Sequence, residues 1–254
     1  MSIIDKINRS RTVLKEILEK EGSWDTSSIT DLSNEEIEIL LDTKTTQNDS
    51  KIISDLGAGT GLFLSMPHKL FDSINLKVVF YNLSTYGKGS RVTKNIKDKI
   101  HRLYEEVYFG NFDSVIIIVD EEIGETINKS ILELNNALNN DLNSKEFPDE
   151  IIKIMDDKDY HLEKKHFRNV WIFDLTSISV NLTKNRFVPE HIIIREENKI
   201  QEILEQSNCS KMQLPIIKQE DIQARLCLST PGDIIKIMRS SKSSGTYAFY
   251  RLVR

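Results

Sequence analysis

Cysteine is almost missing from this chain of 254 residues: Cys209 and Cys227 are the only two. Neither sits in a Cys-x-x-Cys pattern, which excludes a disulfide framework and a cysteine-based zinc module and leaves two partly buried thiols as the plain reading. No apolar stretch approaches the roughly 18 residues of a membrane helix, so no membrane partner is expected. The N-terminal string MSIIDKINRSRTVLKEI is charged throughout and lacks an apolar signal core, from which an intracellular protein is expected. Positive charge is not in excess either. The net charge of −5 argues against a chain that grips nucleic acid on its own, because phosphate contact is mainly a lysine and arginine effect. Histidines are few and scattered, at 68, 101, 161, 166 and 191. Only His161 and His166 are near each other, at a spacing that does not share a helix face. Surface or capping histidines are the default, no metal ligand set is named, and no Ser-His-Asp or Cys-His combination can be assembled.

What is present suits a globular chain with a core of its own: 39% apolar and 29% charged residues. The charge is uneven. Residues 186–254 hold 11 basic against 8 acidic side chains, and the remainder holds 23 against 31, which suggests two units with different neighbours. Ile7, Leu14, Ile17 and Leu18 predict a helix over 3–20 that Gly22 stops, and Ser33-Asn34-Glu35-Glu36 is a capping box opening a second. Leu76–Leu83 reads as a strand and 85–90 as a turn. Helices over 91–107 and 126–138 alternate with strands at Ser114–Val119 and Val170–Phe173. The run SVIIIV is apolar throughout, as a strand buried on both faces should be. This order implies an α/β layer with a partly parallel sheet. The polar, acidic segment 139–165 reads as a surface insertion anchored by Ile151–Met155. The fold class is therefore α/β to α+β, with an N-terminal α/β domain over 1–183 and a small mixed α/β domain over 184–254.

The loudest motif is Asp55-Leu56-Gly57-Ala58-Gly59-Thr60-Gly61, which resembles the first motif of S-adenosylmethionine-dependent methyltransferases. Such a loop needs a buried strand before it, a helix after it and an acidic residue ending the next strand. Here only Ile52 and Ile53 precede it, Pro67 falls where the helix should be in its second turn, and the next strand ends in Asn82. A glycine-rich hairpin or bulge between strands at 52–56 and 62–66 is the competing reading. Gly87-Lys88-Gly89-Ser90 lacks phosphate-loop spacing. Asp55 with Lys77 suggests the carboxylate-and-lysine signature of a metal-dependent nuclease, but Asn75 stands where a metal-holding carboxylate is needed.

The quieter C-terminal block is better ordered. Val188-Pro189 starts extended, Glu196–Gln206 forms a helix with Ile200, Ile203 and Leu204 inward, and Gln213-Leu214-Pro215 is extended again. Pro231-Gly232 turns into a strand over 233–239, a polar loop over 240–245, and a returning antiparallel strand over 246–253. Tyr247, Phe249, Arg251 and Val253 share one face of that strand.

At these residues the chain resembles the fifth subunit of eukaryotic-type DNA-dependent RNA polymerases, whose C-terminal domain is similar to a small subunit of the archaeal polymerase. The matching positions run in order through Val188-Pro189-Glu190-His191, Gln213-Leu214-Pro215, Asp221, Ala224-Arg225, Gly232-Asp233, Ile234 to Arg239, Gly245, Tyr247 and Tyr250-Arg251-Leu252-Val253. The family's proline after Asp221 is Ile222 here, its proline after Arg239 is Ser240, its aromatics after Ala-Arg are Leu226 and Cys227, and its usual glycine just beyond is Leu228. The resemblance implies a non-catalytic polymerase subunit without a cofactor of its own. The C-terminal domain would be an assembly module docking on the largest subunit. The N-terminal domain would be a jaw, with a nuclease-like but inactive fold, beside downstream duplex DNA. The interface it implies comprises Pro189, His191, Gln213, Pro215, Arg225, Lys236, Arg239, Tyr250 and Arg251, some of which would only shape the domain. Lys88, Arg91 and Lys94 are the jaw's candidate phosphate contacts, against a solvated helix face as the competing reading. The extra length, the divergence and the Asn, Ile and Lys-rich composition hint at a large DNA virus or a fast-evolving lineage. The setting would be nuclear for a cellular protein, and a cytoplasmic factory or virion for a viral one. The rival function is a methyltransferase using residues 55–61.

Overall fold

A computed structural model describes residues 2–42, 56–57, 59–83, 92–158, 162–241 and 245–254. It divides into two units, and the chain passes between them more than once: Met1–Pro148 with Phe167–Val180 form the first, Asp149–His166 with Asn181–Arg254 the second. No helix among the described residues is long and apolar enough to cross a membrane.

The first unit begins with α1 (Ile3–Glu21), capped by a Ser2–Asp5 box and ended by Gly22 in the left-handed region at φ 91. Helix α2 (Asn34–Asp42) opens on the expected box, with the Ser33 hydroxyl accepting from the Glu36 N–H and the Glu36 carboxylate accepting from the Ser33 N–H. Four strands follow in the order β1 (Leu64–Pro67), β2 (Asn75–Tyr81), β3 (Ser114–Val119) and β4 (Val170–Asp174). β1 is antiparallel to β2, and β2, β3 and β4 are parallel. Their crossovers, α3 (Ile96–Glu105) and α4 (Glu125–Asn143), lay Ile96, Ile100, Leu103, Ile131, Leu134 and Leu138 against Val79, Val115, Ile117 and Ile172 in one core. The alternate residues Val78, Phe80, Ile116 and Ile118 are buried too, which is why β3 is apolar on both of its faces. The helix expected over 91–107 begins at Ile96. Residue 91 and the turn expected over 85–90 lie outside the described residues.

Polar groups pin the ends of this sheet. The Asn135 side chain donates to the Val170 carbonyl at 3.0 Å and accepts its N–H at 2.8 Å, standing in for a neighbouring strand. Asp113 accepts the Asn75 and Gly110 N–H groups, both at 2.8 Å, with the Lys77 ammonium 3.6 Å away. Asn75 and Lys77, read from sequence beside a degenerate nuclease signature, thus serve to hold a loop carboxylate, while Asp55 lies outside the described residues. His68 is not at the surface. It is 4% exposed, between the rings of Trp24 and Phe71, and its Nδ1 accepts the Leu70 N–H. Burial pushes its pKa down to about 4.

The second unit is built on a sheet in the order β5-β7-β8-β6 (Glu190–Ile194, Ile234–Ser241, Gly245–Val253, Ile216–Ile217), mixed because β6 runs parallel to β8. Ile234 and Leu252 face α7 (Glu197–Gln206) through Ile200, with Leu214 beside them. Ile235, Ile237 and Val253 face the opposite way, against Ala224 of α8 (Ile222–Leu226). Asp221 caps α8 by accepting the Gln223 N–H at 2.8 Å, and Ile222 occupies the first helical position, where a proline would be at home. Leu228, at the position where the resemblance expects a glycine, stands at φ 53, in the left-handed region that glycine enters most easily. The left-handed conformation costs about 1–2 kcal/mol, which burying the Leu228 side chain to 5% exposure offsets.

The segment read as an insertion is divided differently from the expectation. Residues 139–143 finish α4, with Leu142 fully buried. Residues 149–166, including α5 (Asp149–Lys158), group with the second unit, and the short α6 (Leu175–Ile178) with the first. A single cut at 183/184 therefore gives way to an exchange of segments, because His166 is bound into the core of the second unit. Its Nδ1 accepts the Glu163 N–H at 2.9 Å, which leaves Nε2–H to donate to Asp233 at 3.1 Å. The same carboxylate accepts from Arg195 at 3.1 Å and from the Thr230 N–H and hydroxyl at 2.9 and 3.2 Å. Asp233 is 3% exposed. Burial alone would raise its pKa, but the His166 hydrogen bond and the Arg195 charge outweigh burial and hold it far below the usual carboxylate range.

Asp233→Ala strands Arg195, His166 and the Thr230 donors and should lower the unfolding free energy by about 3–5 kcal/mol, read as a lower urea midpoint by circular dichroism; an unchanged midpoint would refute the role given to Asp233. The pKa values of His68, His166 and His191 are all depressed by burial. The folded chain then holds fewer protons than the unfolded one below about pH 6.5, so stability should decline on acidification from pH 7. His68 alone contributes about 3 kcal/mol of that decline by pH 4, and His68→Gln should flatten the melting temperature against pH.

Candidate partner-docking surface

The hairpin β7–β8 extends beyond the two helices that brace its base, and it carries Lys236, Arg239, Tyr250 and Arg251 of the predicted interface residues. Cross-strand pairing sets them in rows: Arg239 opposite Tyr247, His191 and Phe249 on either side of Ile237, and Arg251 opposite Ile235. Side chains alternate across a strand, so Tyr247, Phe249, Arg251, Arg239 and His191 share the face that α8 covers at its base. Lys236 and Tyr250, paired with each other, lie on the opposite face, where Tyr250 packs against the Ile200–Leu214 cluster. The predicted residues thus do not form one surface. His191, Arg239 and Arg251 come together, and Lys236 and Tyr250 are separated from them by the thickness of the sheet.

Several predicted residues are engaged in shaping the domain. The His191 Nδ1–H donates to the Pro189 carbonyl at 2.7 Å, and burial lowers the ring's pKa, so it is the neutral form that braces the start of β5. The exposed Gln213 caps its own turn, its Oε1 accepting the Ser210 N–H at 2.7 Å. The Pro215 carbonyl accepts the Leu252 N–H at 2.9 Å. The Arg251 guanidinium donates to the Ile216 carbonyl at 3.0 Å and so ties β6 to β8. Arg225 is half-buried on α8. Arg239 is exposed, its guanidinium 5.0 Å from the Phe249 ring centroid. On the first unit, Lys88 and Arg91 lie outside the described residues, and Lys94 is exposed just ahead of α3.

Tyr247 and Phe249 were not among the predicted interface residues, yet they are 38% and 39% exposed and meet edge to face at 4.8 Å. Their signal was present in the alternation of β8, where the apolar side of the strand runs on past the last residue that α8 covers.

The glycine loop is accounted for by packing. Gly57 and Gly59 have φ of 85 and 89. A Cβ on Gly57 would lie 2.5 Å from Asn82 Oδ1, and one on Gly59 would lie 3.2 Å from the Phe80 carbonyl oxygen. The Asn82 N–H donates to the Leu56 carbonyl and the Gly59 N–H to that of Leu41. These glycines let the loop close onto the end of β2. Thr60–Leu62 form a single 3-10 turn leading into the antiparallel β1, so no helix N-terminus faces the loop among the described residues. The part of the expected hairpin at 52–55 lies outside the described residues.

Comparison with known proteins bears on the second unit. The family described as RNA polymerase Rpb5, C-terminal domain, matches residues 180–253. DNA-directed RNA polymerase subunit Rpo5 of Pyrococcus abyssi is 42% identical over 73 residues, 29% of this chain and 88% of that protein. DNA-directed RNA polymerases I, II, and III subunit rpabc1 of Dictyostelium discoideum is 36% identical over 80 residues, and its Caenorhabditis elegans counterpart 40% over 76. The chain covers only 40% and 36% of those two eukaryotic relatives. The family match lies wholly outside the glycine loop. Gly57→Val should accordingly act on folding, lowering stability by about 2 kcal/mol or more through the left-handed φ and the clash with Asn82. Calorimetry should show no S-adenosylmethionine binding before or after the change; binding abolished by Gly57→Val would reverse this assignment.

Proposed function

The chain belongs to the Rpb5 and Rpo5 family of DNA-directed RNA polymerase subunits, and from that membership we propose that it docks on the largest subunit through its second unit. It is a non-catalytic component of the polymerase, and the chemistry of RNA synthesis belongs to the large subunits. The observation that carries the docking assignment is the coincidence of the matched residues, 180–253, with the β5–β8 sheet. Exposed aromatic rings beside arginine, as on that sheet, are what protein interfaces favour. The first unit we assign as a jaw beside downstream duplex DNA. Its support is the α/β sheet whose nuclease-like positions, Asn75 and Lys77, are used up in binding Asp113. The phosphate contacts would come from Lys94, and from Lys88 and Arg91 next to it in sequence. No observation favours the methyltransferase reading. A tagged form of this chain co-expressed with the other polymerase subunits should co-purify with the largest of them, and removal of residues 187–254 should abolish that. Co-purification that survives the deletion would overturn the docking assignment.

A further inference from the structure

We propose that the docking face is the Tyr247–Phe249 side of the hairpin and that its occupant is an acidic segment of the partner subunit, with a carboxylate beside an apolar side chain. This rests on the docking assignment and adds to it which side of the sheet is used and what chemistry meets it. The two faces differ in cover and in charge. On the Tyr250 side, α7 and Leu214 enclose Ile234 and Leu252, and Tyr250 packs against them. The charges there are opposite in sign, Lys236 against Glu190 two strand positions away.

On the other side, α8 stops at the row of Ile235 and Ile237. Phe249, in the row of Ile237, and Tyr247, in the row of Arg239, are each more than a third exposed. Arg239 and Arg251 flank them, with Asp221 at the margin near His191. The two guanidiniums make this surface cationic. The Arg239 side chain makes no hydrogen bond or ion pair within the described residues. Its guanidinium carbon lies 5.0 Å from the Phe249 ring centroid, and the residue is exposed. An exposed guanidinium can meet a carboxylate through two parallel N–H donors, and the neighbouring rings supply area for an apolar side chain at little entropic cost. An acidic segment satisfies both features. A basic one would be repelled, and a purely apolar one would desolvate the Arg239 guanidinium without giving it a hydrogen-bond acceptor.

The test uses the assembled polymerase carrying the Arg239→Lys chain, treated with a water-soluble carbodiimide, which couples a lysine amine to a carboxylate only where the two touch. Mass spectrometry should find residue 239 joined to an Asp or Glu of a polymerase subunit, and Lys236, on the opposite face, not joined. In parallel, Arg239→Glu with Phe249→Ser should reduce co-purification about ten-fold or more, with steeper loss at high salt than the unaltered chain shows, whereas Lys236→Glu should change it less than about three-fold. Coupling at Lys236 instead of residue 239, or coupling at neither in an intact assembly, overturns the choice of face and partner chemistry while leaving the docking assignment standing. Failure of the unaltered chain to assemble at all would overturn both.

Discussion

The second unit depends on one buried carboxylate. Asp233 sits where the chain turns into β7, and four donors from three parts of the sequence converge on it: Thr230 by backbone and hydroxyl, Arg195 after β5, and His166 from 67 residues upstream. A carboxylate removed from water is costly unless every oxygen is occupied. Its burial therefore requires β5, the 229–233 turn and the segment before His166 to be in place together. Gly232, at φ 88 with its N–H donating to the Val253 carbonyl, joins the same turn to the end of β8. The hairpin that carries the candidate docking face is positioned by these contacts.

The same logic separates residues that shape the domain from residues available to a partner. His191, Gln213, Pro215 and Arg251 each spend a polar group on the unit's own backbone. The Arg239 and Phe249 side chains lie against each other, and Phe249 against Tyr247, in the part of the hairpin that α7 and α8 leave uncovered. Rigid support at the base and exposed aromatics at the tip are complementary requirements of an interface that must be formed before its partner arrives.

In the first unit, residues that suggest chemistry are used in packing. Gly57 and Gly59 admit the end of β2, Asn75 and Lys77 hold Asp113, and His68 lies between two aromatic rings. Each resembles part of a catalytic motif because tight turns and buried polar ends need the same residue types that active sites need. Context distinguishes them: a 3-10 turn in place of a helix, and an amide in place of a carboxylate.

Much of the fold was legible in the residues alone. The helices over 3–21 and 34–42 follow from apolar spacing and caps, the apolar run at 114–119 from its lack of alternation, and the second unit from an ordered series of turns and strand residues. These are local properties, and short-range physics decides them. The pairing of His166 with Asp233, the passage of 149–166 into the second unit, the burial of His68 and the split of the interface residues over two faces were not legible. Alternation along β8 tells which side chains share a face, but not which face a helix will cover. That is settled only when α7 and α8, distant in sequence from the tip of the hairpin, pack against its base and leave Tyr247 and Phe249 exposed.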